Sequence, residues 1–131
     1  GTNATELTVK YNLDFLPKIT DQVFLSKIYS TADFTLILSK KETFSLVTAD
    51  SLSCGTPVIG FDAGGPTEIA INNFGRFTVN GDYEKLKELV YDSIEGNITY
   101  GSKDLLRNHI INNYSLKAMV KKYENLYLER L

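Results

Sequence analysis

Two short, almost uninterrupted apolar runs, Phe34–Leu38 and Pro57–Phe61, flank a segment of small and apolar residues, and that arrangement admits few folds. A strand that is apolar at nearly every position is buried on both faces, which happens where helices cover both sides of a parallel sheet. Between the runs, Leu46, Val47, Ala49 and Leu52 lie among small residues over Ser45–Cys54, the pattern of a helix packed closely on a sheet, and Gly55 ends it. These segments predict a β-α-β unit, the commonest way to join two parallel strands.

The same rhythm extends in both directions. Leu7, Val9, Tyr11, Leu13 and Phe15 alternate and predict a further strand, ended by Pro17. Thr20 or Asp21 then caps a helix with Phe24, Leu25, Ile28, Tyr29 and Ala32 on one face. Pro66 opens a short helix, Gly75–Val79 forms a last short strand, and Asp82–Ile94 is a helix with Tyr83, Leu86, Leu89, Val90 and Ile94 inward, broken by Gly96 and Asn97. A helix over Lys103–Asn112 follows. Another from Ser115 carries Leu116, Met119, Val120, Tyr123, Leu126 and Tyr127 on one side. Strands alternating with helices predict the α/β class: a doubly wound, Rossmann-like parallel sheet with flanking helices, here with four strands.

With 131 residues the chain has material for one domain with its own core. A net charge of −2 argues against nucleic acid held by bulk electrostatics, so any bound anion must be gripped locally. Cys54, the single cysteine, cannot form an internal disulfide. No apolar run reaches membrane length, and Gly1–Glu6 lacks the basic and apolar succession of a leader; together these predict a reducing, cytoplasmic setting. Sequons begin at Asn3, Asn97 and Asn113, but such triplets are frequent by chance. His109, the single histidine, reads as a helical packing residue rather than a catalyst, since no second ligand or base stands near it in sequence.

In doubly wound sheets ligands bind beyond the carboxyl ends of the strands. Phe15–Asp21, Ser39–Ser45 and Asp62–Pro66 are the loops predicted there. Glu42 stands in the second, and Asp50 lies eight positions on, inside the next helix, so both acids face one crevice. The first N–H groups of that helix, around Ser45 and Leu46, suit a diphosphate without any basic cluster, and carboxylates beside it suit sugar or ribose hydroxyls. For Glu42 the plain alternative is a solvated acid stabilised by the helix dipole. For Asp50, set among Val47, Ala49, Leu52 and Cys54, it is a structural carboxylate paired with Thr48 or Ser53. Gly64 and Gly65 either let backbone approach a ligand or simply form a turn before Pro66, with Glu68 as an early-helix acid.

Taken together, Glu42-x-Phe44-Ser45, Ser51-Leu52-Ser53-Cys54-Gly55-Thr56-Pro57-Val58-Ile59 and Gly64-Gly65-Pro66-Thr67-Glu68 closely resemble the group 1, or family 4, glycosyltransferases. The resemblance implies a two-domain GT-B enzyme whose C-terminal domain binds a nucleotide-sugar donor through a Glu, seven residues, Glu signature. Glu42 matches the first acid, which contacts donor-sugar hydroxyls and is the residue implicated in catalysis. Asp50 stands at the second, the ribose acid, one methylene shorter than the family's Glu. Phe44, Ser45 and Leu46 match the backbone beside the sugar and diphosphate, with Ser45 in place of the usual Gly. Pro17 and Lys18 fall in the loop that borders the nucleobase, and Gly64, Gly65 and Glu68 in a supporting loop. Cys54 matches a position of buried structural thiols. No metal or other cofactor is implied, the nucleotide sugar being a substrate.

The segment supplying the family's Arg and Lys, which neutralise the departing diphosphate, has no match here, nor has the acceptor-binding N-terminal domain. Residues 1–131 are therefore expected to form part of a donor-binding domain, truncated on its N-terminal side, with an open sheet edge that favours self-association. The family-level expectation is a retaining transferase acting on a glycan or lipid-linked acceptor in surface-polysaccharide assembly, cytoplasmic or at the inner face of the membrane. Its rivals are a degenerate domain that binds a nucleotide or a partner without catalysis, and a response-regulator or flavodoxin-like module, whose phosphate or flavin signatures are missing.

Overall fold

The central strand of the sheet, β2 (Val58–Phe61), is buried at all four positions. The computed structural model, which describes residues 4–129, shows why. β1 (Thr35–Ile37) and β3 (Gly75–Thr78) flank β2, both parallel to it, with Thr35 opposite Val58 and Phe61 opposite Thr78. Val58 packs on one face with Ile37, Leu52, Ile69, Phe74, Leu106 and Ile110. Ile59 and Phe61 pack on the other with Leu86. Each face needs its own layer of helices, so the strand can carry no polar residue.

α3 (Leu46–Ser53) connects β1 to β2 and packs against α6 (Lys103–Tyr114) on the first face. The contact is close because the inward side of α3 is small: Thr48 and Ser51 are buried, and the Ser51 hydroxyl donates to the Thr56 carbonyl at 2.7 Å and lies 2.8 Å from the Thr35 hydroxyl. α4 (Gly65–Ile69) and a 3₁₀ turn (Asn72–Phe74) lead from β2 to β3. α5 (Tyr83–Ile94) covers the second face against β2 and β3, with Tyr83 edge-on to Phe61. α2 (Gln22–Thr31) is capped by Asp21, whose carboxylate accepts from the N–H groups of Val23 and Phe24. Phe24 and Ile94, expected inward, are exposed.

Two sequence expectations are corrected. The segment read as a strand from Leu7 to Phe15 begins as a helix, α1 (Ala4–Tyr11), and continues without regular structure to α2, so three strands form, not four. Alternation specifies a strand only when one face is buried, and here Val9, Tyr11, Leu13 and Phe15 are all exposed. α7 (Leu116–Glu129) forms as expected, with Leu116 and Val120 exposed; the side chains of Met119, Tyr123, Leu126 and Tyr127 lie outside the described part of the structure. Among the described residues no helix is long and apolar enough to cross a membrane.

Candidate functional site

Beyond the carboxyl ends of β1 and β2, the loops after them are tied backbone to backbone. The Glu42 N–H donates to the Ala63 carbonyl at 2.8 Å, and the Gly65 N–H donates to the Glu42 carbonyl at 2.9 Å, extending the parallel pairing past the sheet. This approach explains both glycines. A Cβ at Gly64 would lie 3.0 Å from the Glu42 carbonyl oxygen, at a φ of +97°, and one at Gly65 would lie 3.0 Å from the Phe44 Cα. What comes close to Gly64 and Gly65 is the Glu42 loop itself. Glu68, in the first turn of α4, is exposed, and its carbonyl accepts from the Tyr114 hydroxyl.

Glu42 is half-buried, and its Oε2 is enclosed without a hydrogen-bond partner among the described residues. An enclosed carboxylate oxygen without a donor is costly, so Glu42 carries an unmet demand for a hydrogen-bond donor. Next along the chain, Phe44 is half-exposed, its ring 6.1 Å from that of Tyr114. Ser45 is fully buried and caps α3, accepting from the Thr48 N–H at 3.1 Å and from the Thr48 hydroxyl at 2.8 Å. Its hydroxyl is thus committed to the fold. The N–H groups of Leu46 and Val47 occupy the first turn, where no preceding carbonyl of the helix can reach them.

Asp50 departs from the structural alternative: it is exposed, and neither Thr48 nor Ser53 holds its carboxylate. The Thr48 hydroxyl is engaged with Ser45, and the Ser53 hydroxyl donates to the backbone carbonyl of Asp50 at 2.8 Å. Partial burial still raises the Asp50 carboxyl above its ordinary value. The residue stands on a ridge between two depressions. One, about 90 Å³, is lined by Gln22, Ser26, Tyr29 and Cys54 of α2 and α3. The other, about 480 Å³, is a more apolar groove walled by Phe44, Leu46, Ala49, Ile110 and Tyr114. The Tyr29 phenol is raised by burial first, then by the Asp50 and Cys54 charges.

Several expected residues lie apart from this cluster. Pro17 and Lys18 are exposed in the irregular segment before α2 and line neither depression. Cys54 is half-buried rather than buried, because it ends α3 beside the smaller depression. His109 is a packing residue: its Nε2–H donates to the Ile69 carbonyl at 2.7 Å, and its ring lies tilted against Phe74 and edge-on to Tyr114. Asn97 is exposed after α5, Asn113 bonds the His109 carbonyl, and Asn3 lies outside the described residues. Among those residues, no three His, Cys, Asp or Glu side chains gather as a metal site requires.

Sequence reasoning missed Gln22, which reads as an ordinary helix position, and Tyr114, which falls between two expected helices but ends α6. It also missed Asn80, whose amide donates to the Lys40 carbonyl. An Asn-Gly pair signals a turn and nothing about a distant loop.

A parallel sheet covered by helices on both faces defines a domain of the doubly wound α/β class. The model of the family described as glycosyl transferases group 1 matches residues 2–123, and the chain belongs to that family. An alpha-1,3/1,6-mannosyltransferase of Candida albicans is 28% identical over 123 residues, 86% of this chain and 27% of that protein. A D-inositol 3-phosphate glycosyltransferase of Thermomonospora curvata is 42% identical over 62 residues, 47% of this chain and 14% of its own length. An N-acetyl-alpha-D-glucosaminyl L-malate synthase of Bacillus anthracis is 25% identical over 109 residues, covering 82% of this chain and 29% of that one. The chain spans less than a third of the length of these relatives.

Proposed function

We propose that this chain forms the nucleotide-sugar-binding wall of a retaining glycosyltransferase that moves a sugar from its donor to a glycan or lipid-linked acceptor. The observation that carries the reading is the place of Glu42, whose Oε2 has no hydrogen-bond partner among the described residues, in the loop just before the first turn of α3. In this reading Glu42 accepts hydrogen bonds from donor-sugar hydroxyls, and the backbone of Phe44, Ser45 and Leu46, with the positive end of the α3 dipole, receives the diphosphate. Asp50, whose carboxylate has no hydrogen-bond partner among the described residues, accepts from the ribose. Pro17 and Lys18 border the base, and Gly64, Gly65 and Glu68 support the Glu42 loop. The acceptor side belongs to the rest of the full-length protein; family membership supports sugar transfer, and the glycan or lipid-linked acceptor and a place in surface-polysaccharide assembly are further parts of this proposal.

Calorimetric titration of the full-length protein with UDP, GDP, UDP-glucose, UDP-N-acetylglucosamine and GDP-mannose tests the proposal, with Glu42→Ala as the comparison. Saturable binding of one nucleotide sugar, weakened by about tenfold or more in Glu42→Ala, is expected for a lost bond to a charged acceptor. If the intact protein binds none of them, the proposal fails. Asp50, shorter than the acid of the family signature, favours a second reading, a non-catalytic nucleotide- or partner-binding domain. Nucleotide binding with no transfer to any acceptor would select it.

A further inference from the structure

We propose that Asn80 is a positioning residue for the donor sugar, acting through the loop that carries Glu42; the inference rests on the donor-site reading above. β3 does not neighbour β1 in the sheet, so its backbone cannot reach the β1–α3 loop. The Asn80 side chain spans the gap: its Nδ2–H donates to the Lys40 carbonyl, two residues before Glu42. Among the described residues this is the hydrogen bond that Lys40 makes, whereas the far side of the loop is held at Glu42 by Ala63 and Gly65. The loop is thereby held both two residues before Glu42 and at the Glu42 backbone itself.

The arm that carries Asn80 is itself firm. The Asp82 N–H donates to the Val79 carbonyl at 3.0 Å, and the Asp82 carboxylate caps α5 through the Lys85 N–H at 3.0 Å. Nor is Asn80 needed for the backbone of its turn, since Gly81, at a φ of +86°, takes the left-handed position and Asn80 does not. What the residue contributes is an amide donor facing a carbonyl. An aspartate of the same shape would present an acceptor to an acceptor. Freed at Lys40, the loop would let the Glu42 carboxylate move, while the first turn of α3, capped separately by Ser45, would stay in place. The consequence falls on the sugar and spares the nucleotide.

The test compares full-length wild type, Asn80→Asp, Asn80→Gln and Glu42→Ala in calorimetric titrations with the nucleotide sugar that binds, out of UDP-glucose, UDP-N-acetylglucosamine and GDP-mannose, and with the matching UDP or GDP. The readout is the ratio of nucleotide to nucleotide-sugar Kd. Asn80→Asp is expected to lower that ratio by about three- to tenfold while changing the nucleotide Kd less than about twofold, the scale of one lost hydrogen bond. Asn80→Gln keeps the amide donor and is expected to retain more of the ratio than Asn80→Asp. An unchanged ratio, or equal weakening of both ligands, in Asn80→Asp overturns the inference if Glu42→Ala lowers the ratio. If Glu42→Ala leaves the ratio unchanged, the donor reading fails and the inference falls with it.

Discussion

Asp50 shows what a single position can and cannot disclose. Its spacing from Glu42 places it on α3 near the crevice, and that much is local geometry. Whether its carboxylate is spent inside the protein depends on Thr48 and Ser53, whose hydroxyls turn out to be engaged elsewhere. Because burial raises this carboxyl above 3.8, the folded chain takes up its proton at a higher pH than the unfolded chain does. Through that window stability rises as pH falls, and above it the ionised side chain carries a penalty, kept small by solvent screening at an exposed site. Asp50→Asn is therefore expected to raise Tm slightly at neutral pH, with the gain shrinking as pH falls toward 3.8, and to weaken nucleotide binding. Thermal melts across pH together with calorimetry check this. A variant that melts lower at neutral pH would mean that the carboxylate has a structural partner.

At the scale of elements, α3 depends on its cap. The buried Ser45 hydroxyl serves both the backbone and the side chain of Thr48, so Ser45→Ala leaves an uncapped turn and a buried hydroxyl without its acceptor. A loss of about 1–3 kcal/mol in urea unfolding is expected. Ligand affinity should change less than in Glu42→Ala, because the N–H groups of the first turn remain. α3, β1 and β2 were legible in the sequence because each meets a strong local demand: continuous apolar strands between two helical layers, and a helix of small residues closed by Gly55. α1 was not. Its apolar residues alternate as those of a strand do, but Val9 and Tyr11 are exposed, and a periodicity without a buried face does not select a strand.

The whole molecule is marked by its sheet edges. Among the described residues β1 pairs with β2 alone, and Leu36 and Leu38 at that edge are half-exposed. An open strand with apolar neighbours invites pairing with another copy. The 131-residue chain by itself is thus expected to sediment above its monomer mass of 14.7 kDa as concentration rises, and Leu36→Lys, a charge on the edge, to shift it back toward monomer. A wild-type chain that stays monomeric over a hundredfold range of concentration would contradict the expectation.

The sequence by itself determined the order of elements from α2 onward, the β-α-β unit and the placing of Glu42 and Asp50 on one strand-loop-helix step. These follow from rules spanning a few residues: burial on both faces, helical spacing, caps and breakers. Only the tertiary structure decided the number of strands, the interlocking of the Glu42 loop with Gly64 and Gly65, the enclosure of Glu42 Oε2 and the reach of Asn80 to Lys40. The pairing of Glu42 with Gly64 and the contact of Asn80 with Lys40 join residues 22 and 40 positions apart, brought together by packing of the sheet, and such contacts leave no period in the sequence from which they could be read.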